Sequence, residues 1–90
     1  MKIRRVDYSR GFLKEFKKAP LKVKDAFRER LEIFTSNKFH PILNNHSLVG
    51  KYKGYRSINI TGDWRVVFRE FESGEIIYFE VIGTYNQLYK

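Results

Sequence analysis

The amino-acid sequence predicts an α+β fold in which an N-terminal strand and a helix hairpin pack on one face of an antiparallel sheet, in the order β-α-α-β-β-β. Apolar residues recur at helical spacing between Leu21 and about Asn37. Residues 55–71 alternate in the manner of two strands around a Gly-Asp turn signal. The helical segments precede the strands, and 90 residues suit a single domain over positions 1–90.

The first elements are a short strand and a short helix. Ile3–Tyr8 contains β-branched residues and is followed by Ser9, which predicts a strand that ends at a helix cap. The apolar residues of the next segment lie on one helical face, and they are Phe12, Leu13 and Phe16. Pro20 ends this helix and can begin the next one.

The second helix is amphipathic, and a long loop follows it. The apolar residues of the helix are spaced by four, four and three positions, and they are Val23, Phe27, Leu31 and Phe34. Residues 38–50 show neither the helical nor the strand period, which predicts a connection of the length that is often functional or mobile.

The remainder of the chain reads as three strands. Tyr55–Thr61 and Trp64–Phe71 flank Gly62-Asp63, which is a signal for a two-residue hairpin turn. A second turn then leads into Glu75–Ile82, whose apolar side chains point to both sides. This last strand is therefore expected to be central and covered on both faces.

Composition and charge restrict the function. Eighteen Lys and Arg against ten Asp and Glu give a formal net charge of +8, which favours a polyanionic partner. The absence of cysteine excludes disulfides, thiol nucleophiles and Cys-based metal sites. With only His40 and His46 as imidazoles, we expect no metal and no cofactor. No apolar segment is long enough to span a bilayer, so a cytoplasmic protein without membrane contact is expected.

A basic and aromatic surface is predicted on the second half of the chain. If the helices cover the sheet face that carries Trp64, Val66 and Phe68, then Arg65 and Arg69 point to the opposite face. Further basic residues precede them and alternate with Tyr52 and Tyr55, and they are Lys51, Lys53 and Arg56. Cations that hold phosphates and rings that stack bases suit single-stranded RNA.

The same region holds groups that could cleave RNA. The RNA supplies its own nucleophile, the 2′-OH, so a nuclease needs a base, an acid and cations around the phosphate. Histidine ordinarily titrates near pH 6.5, which makes His46 the better base. Arg65 is the leading cation, and Tyr85 and Tyr89 are candidate acids.

Four segments together resemble a known family. They are His46–Gly50 (HSLVG), Tyr52–Arg56 (YKGYR), Asp63–Phe68 (DWRVVF), and Ile82–Thr84 (IGT) with Leu88 and Tyr89 (LY). In this order they resemble the RelE/ParE toxin superfamily of type II toxin-antitoxin systems, and most of all the YafQ-, RelE- and YoeB-like mRNA interferases. The resemblance spans nearly the whole chain.

The resemblance implies a RelE-like fold and a toxin that cleaves mRNA in the ribosomal A site and is held by a small acidic antitoxin in a hetero-oligomer. His46 then corresponds to a catalytic histidine, and Asp63 with Trp64 corresponds to a functional Asp-Trp pair. Arg65 corresponds to the phosphate-stabilising arginine, Arg56 to a functional lysine, and Tyr89 to an aromatic residue of the active site.

Two positions depart from the YafQ-like pattern, because Tyr85 and Asn59 stand where those toxins have histidine. Either Tyr85 or Tyr89 could then supply the acid. Two alternatives remain open at this point. One is a ParE-like toxin that inhibits DNA gyrase and cuts nothing, and the other is a catalytically weakened homologue retained for antitoxin binding.

Overall fold

The structure, a computed structural model, describes residues 2–89 and contains a five-stranded sheet with two helices on one face and a short helix on the other. The strands are β1 (Arg5–Tyr8), β2 (His46–Ser47), β3 (Arg56–Asn59), β4 (Trp64–Phe71) and β5 (Ile76–Thr84). The helices are α1 (Arg10–Lys18), α2 (Leu21–Ser36) and α3 (Tyr85–Tyr89).

The strand order across the sheet is β1-β5-β4-β3-β2. Every pair is antiparallel except β1 and β5, which run parallel at one edge. The predicted α+β fold is confirmed, and β5 is an interior strand that lies between β1 and β4. Its pairing with β4 shifts by one residue, since Val67 pairs with Val81 and Phe68 with Phe79, which leaves Glu80 as a bulge.

The core between the helices and the sheet is built from phenylalanine rings. Phe12 of α1 and Phe27 of α2 lie 5.5 Å apart, and each lies within 5.7 Å of Phe79 on β5. Phe34 of α2 meets Phe68 of β4 edge-on at 5.1 Å. Tilted and edge-to-face rings fill space well and add stabilisation beyond their buried area. This packing fixes which sheet face the helices cover.

Ser9 is the predicted helix cap, and the structure confirms it. Its hydroxyl oxygen accepts a hydrogen bond from the Phe12 N–H at 2.8 Å and donates one to the Glu80 carbonyl at 2.6 Å. The first bond satisfies one free N–H group of the first turn of α1. The second ties the start of α1 to the bulge of β5.

Several boundaries differ from the prediction. β1 begins at Arg5 and not Ile3, and β5 extends to Thr84. Residues 38–50 are an irregular connection as expected, but they include the short edge strand β2, which two residues are too few to reveal by alternation. No helix among residues 2–89 combines the length and the apolar character needed to cross a bilayer.

The predicted two-residue turn at Gly62-Asp63 is wrong, because Thr61 belongs to the turn as well. The Thr61 hydroxyl accepts hydrogen bonds from the N–H groups of Asp63 and Trp64, at 3.3 and 3.1 Å. Neither Gly62 nor Asp63 has a positive φ, which the tight two-residue turn would need. A threonine hydroxyl that bonds ahead along its own backbone stabilises this longer turn.

Candidate functional site

The short helix α3 covers part of the sheet face opposite α1 and α2. Leu88 is only 5% exposed and packs over Gly83, while Val67 beneath this face is fully buried. The expectation that this face is uncovered is therefore wrong in part. We call it the α3 face, and its sheet residues include Ser57, Asn59, Arg65, Val67 and Arg69.

A reciprocal pair of hydrogen bonds starts α3. The Thr84 N–H donates to the side-chain oxygen of Gln87 at 2.8 Å, and the Gln87 N–H donates to the Thr84 hydroxyl at 3.2 Å. This is the capping-box arrangement, which requires Ser or Thr followed three residues later by Glu or Gln. The sequence Thr84-Tyr-Asn-Gln87 carries that signal, which sequence reasoning missed.

His46 is exposed on the edge strand β2 and pairs with Ser57 of β3, so its side chain belongs to the α3 face. Its Nδ1 lies 2.8 Å from the backbone oxygen of Asn44. A carbonyl oxygen only accepts, so Nδ1 carries the proton and Nε2 of the neutral ring has a free lone pair. Asn44 holds a left-handed backbone conformation (φ 49°) that asparagine tolerates better than most residues.

Arg65 lies partly exposed on the α3 face. Its Nη1 donates to the carbonyl oxygens of Thr61, Gly62 and Trp64 at 3.1 to 3.2 Å. Within residues 2–89 it forms no ion pair, and its remaining N–H groups form no hydrogen bond. The turn therefore fixes the guanidinium without neutralising its charge, which suits it to an incoming phosphate.

Four tyrosines form a row across the α3 face. The ring centroids of Tyr55 and Tyr52 lie 6.2 Å apart, those of Tyr52 and Tyr89 6.1 Å, and those of Tyr89 and Tyr85 5.0 Å. Cations lie against three of these rings, namely Arg69 at 5.1 Å from Tyr55, Lys51 at 5.2 Å from Tyr52, and Arg65 at 6.0 Å from Tyr85. This surface offers both ring faces and positive charge to a nucleic acid.

The environment of Tyr52 keeps its phenol protonated. Burial raises the pKa of the Tyr52 hydroxyl above its ordinary value, and the nearby Tyr89 and Glu80 raise it further. A tyrosine of this kind can donate a hydrogen bond but is a poor base at neutral pH. Tyr52 therefore contributes packing and a donor to the α3 face.

The structure brings most of the predicted site residues together. His46, Arg65 and Arg69 lie on the α3 face through the strand register, and Tyr85 and Tyr89 are carried there by α3. Three further predicted residues are exposed near this face. Lys51 and Lys53 lie in and directly after the turn at residues 50–52, and Asp63 accepts the Tyr85 N–H at its backbone oxygen.

Arg56 and Trp64 lie on the helix side of the sheet, away from the α3 face, and a contact of either residue with RNA stays a prediction. Arg56 pairs with Phe68, and its Nε donates to the Asn45 side chain at 2.8 Å. Trp64 packs against the core from the same strand face as Val66. Both positions follow from strand alternation, because each is an odd number of residues from a side chain on the α3 face.

Two polar residues beneath the α3 face complete the site. Ser57 is fully buried, and its hydroxyl accepts a hydrogen bond from the Tyr89 phenol at 3.0 Å. The Asn59 side-chain oxygen is buried and has no hydrogen-bond partner among residues 2–89. Sequence reasoning missed Ser57, because a strand serine is conspicuous only once α3 is placed above it. No cluster of three or more His, Cys, Asp or Glu suited to a metal ion occurs in the described part of the chain.

Solved structures of other proteins share this architecture. YafQ from E. coli superposes with a TM-score of 0.80 at 23% identity, covering 97% of this chain and 100% of that one. A YoeB/ParE toxin from Agrobacterium tumefaciens gives 0.76 at 15% identity over 91% and 99%. Archaeal RelE, from the RelE-RelB complex of Pyrococcus horikoshii, gives 0.73 at 18% over 93% and 96%. The fold is that of the RelE-like toxins.

A match to a family model identifies the protein family within this fold. The model described as "Bacterial toxin of type II toxin-antitoxin system, YafQ" matches residues 4–90. The chain belongs to the YafQ family of type II toxins. No curated protein sequence matches it.

Proposed function

We propose that this YafQ-family toxin is an endoribonuclease that cleaves mRNA in the ribosomal A site. One observation carries the proposal. Three kinds of group share one face of the sheet. They are a histidine with a free Nε2 lone pair, an arginine that lacks a carboxylate partner within residues 2–89, and the tyrosines of α3. These are the base, the cation and the acid that cleavage by the RNA 2′-OH requires.

The proposed reaction uses RNA as its own nucleophile. Nε2 of His46 removes the proton from a 2′-OH, whose oxygen attacks the adjacent phosphorus. Arg65 stabilises the charge on the pentavalent phosphate, with Lys51 and Arg69 as further cations. A tyrosine donates its proton to the departing 5′-oxygen, which leaves a 2′,3′-cyclic phosphate and a 5′-OH end.

Tyr85 is the better candidate for the acid. It is 47% exposed and its ring lies beside the Arg65 guanidinium, so one phosphate can contact both side chains. It also stands where YafQ-like toxins have a histidine. The Tyr89 hydroxyl instead donates a hydrogen bond to the Ser57 hydroxyl, so it is already engaged within the protein.

The proposal is tested with purified ribosomes programmed with a defined mRNA. Removing a preorganised cation typically costs about 10²- to 10³-fold in rate, so Arg65→Ala should fall by that factor. His46→Ala should fall by about 10²- to 10⁴-fold, the usual contribution of a general base. Arg28→Ala, on the exposed side of α2, removes the same charge and should leave cleavage unchanged.

The outcomes separate the individual roles from the function itself. Equal cleavage by the wild type and Arg65→Ala would remove Arg65 from the mechanism. A wild type that leaves ribosome-bound mRNA intact but inhibits DNA supercoiling by gyrase would instead be a ParE-like toxin. A wild type that does neither and leaves growth unimpaired would be a homologue that has lost its toxicity.

We also propose a small acidic antitoxin as partner, in a hetero-oligomer in the cytoplasm. Related toxins are found in DinJ-YafQ complexes from E. coli and in the RelE-RelB complex from Pyrococcus horikoshii. The formal net charge of +8 complements an acidic chain that folds as it binds. Copurification of the toxin with the product of a neighbouring gene tests this, and a neighbouring product that neither binds nor neutralises the toxin would contradict it.

A further inference from the structure

We infer that Ser57 is a positioning residue, which holds α3 against the sheet through Tyr89 so that Tyr85 stays beside Arg65. The inference rests on the proposed function for its catalytic consequence. Its structural part, the control of the Tyr85 position by the Ser57 hydroxyl, can be tested without cleavage. Ser57 is completely buried and cannot touch RNA, so it is not itself a catalytic group.

A buried serine at this place is costly unless its hydroxyl is paired. Its neighbour across β4, Val67, is apolar and equally buried. An unpaired buried hydroxyl loses its bonds to water without compensation, whereas valine or alanine would carry no such penalty. Among residues 2–89, the phenol of Tyr89 is the only side-chain partner of Ser57, at 3.0 Å. The buried Ser57 hydroxyl therefore depends on Tyr89 for its side-chain hydrogen bond.

The location of Ser57 gives this bond its consequence. Ser57 pairs with His46 on one side and with Val67 on the other. It therefore lies between the proposed base and the part of the sheet that α3 covers. A helix of five residues is not stable by itself, and the apolar contact of Leu88 does not fix its rotation. The capping box and the bond from the Tyr85 N–H to the Asp63 carbonyl hold the start of α3, and the directional hydrogen bond from Tyr89 to Ser57 fixes its other end.

The position of the Tyr85 ring depends on the Tyr89 ring that packs against it. The Tyr85 and Tyr89 rings are 5.0 Å apart, and the Tyr85 ring lies 6.0 Å from the Arg65 guanidinium. The Tyr85 main chain stays bonded to Asp63, so the release of Tyr89 from Ser57 acts on the Tyr85 ring. Without the Tyr89 ring held against it, the Tyr85 ring can swing away from Arg65. The proposed acid and cation would then no longer contact one phosphate.

The test uses the full chain with Ser57→Ala, Tyr89→Phe, the double variant and Ser57→Thr. Ser36→Ala, an exposed serine of α2, serves as the control for loss of a hydroxyl. Two quantities are measured: mRNA cleavage on programmed ribosomes, and the NMR ring signals of Tyr85 in protein labelled with ¹³C-tyrosine and assigned with Tyr85→Phe.

Ser57→Ala and Tyr89→Phe should each lower kcat about tenfold, with little change in KM, and each should shift the Tyr85 ring signals. The double variant should be no worse than either single one, because the same bond is removed from both ends. Ser57→Thr keeps the hydroxyl and should recover most of the cleavage. Ser36→Ala should match the wild type in both measurements.

Independent, multiplying effects of the two single substitutions would overturn the inference. Tyr85 signals that stay in place in Ser57→Ala would also overturn it, even if cleavage falls. If Ser57→Ala does not fold, Tyr89→Phe removes the same bond from the other partner, and unmoved Tyr85 signals there decide against it. A wild type that cleaves no mRNA refutes the proposed function, while the NMR comparison still decides whether Ser57 controls Tyr85.

Discussion

The side chain of Leu88 anchors α3 on the sheet, and Leu88→Ala tests whether this helix makes the site. Leu88 is 5% exposed, and its Cδ2 lies close above the backbone of Gly83. The substitution removes most of the apolar contact between α3 and β5. It leaves the core between the sheet and the two long helices intact.

The expected loss can be bounded from the structure. Leucine-to-alanine substitutions in cores cost about 2–5 kcal/mol, and the low end applies where the surroundings can collapse into the space. A five-residue helix at the surface can do so, or can detach, which gives a loss of about 2 kcal/mol. In a domain of this size the midpoint of thermal unfolding should then fall by about 8–16 °C.

Three measurements follow the variant: urea unfolding, amide hydrogen exchange in α3, and cleavage on programmed ribosomes. Exchange in α3 should accelerate far more than in β4 or β5, because the helix opens locally. Cleavage should fall by at least tenfold, since Tyr85 moves with the helix. Leu13→Ala, the same chemical change at a residue 53% exposed on α1, should alter stability by less than about 0.5 kcal/mol.

Two results would refute this reasoning. If Leu88→Ala loses no more stability than Leu13→Ala, then α3 is not docked on the sheet in solution. If stability falls as expected and cleavage is retained, then the α3 tyrosines are dispensable for the reaction.

Three further substitutions probe the same architecture. A Cβ at Gly83 would lie 3.0 Å from Gln87 Oε1, so Gly83→Ala should displace α3 and lower cleavage. A Cβ at Gly62 would have no atom within 4 Å, so Gly62→Ala should leave cleavage unchanged. Equal activities of the two variants would count against the close approach of α3 to Gly83. Ser9→Ala removes the cap of α1 and should cost about 1–2 kcal/mol in urea unfolding, and a loss under about 0.5 kcal/mol would contradict the role of the cap. The pKa of Tyr52 is raised in the folded state, so the unfolded chain loses the phenol proton first and the stability falls above about pH 10. Tyr52→Phe should make this fall in stability shallower. An identical dependence of stability on pH in the two proteins would contradict the burial of this phenol.

Much of the fold could be predicted because its signals are local. The spacing of Phe27 and Phe34 marks one face of α2, and the alternation of Val66 and Phe68 marks the helix side of β4. The same alternation places Arg65 on the other side. It also assigns Arg56 to the helix side together with Ile58, away from Arg65.

The rest depends on contacts between distant segments. The place of His46 on the α3 face depends on its pairing with Ser57, and a two-residue strand shows no period. The Tyr89 to Ser57 bond joins residues 32 positions apart. Only the start of α3 had a local signal, the capping box of Thr84 and Gln87.

The parallel pair at the sheet edge has a consequence for how the protein is made. Arg5 of β1 pairs with Ile76 of β5, so β1 stays unpaired during synthesis until β5 has been translated. Contacts between residues so far apart in sequence form slowly, because a long loop must close before any of them can stabilise the fold. The tyrosines of α3 are translated later still. The α3 face is therefore complete only after both β5 and α3 have been translated.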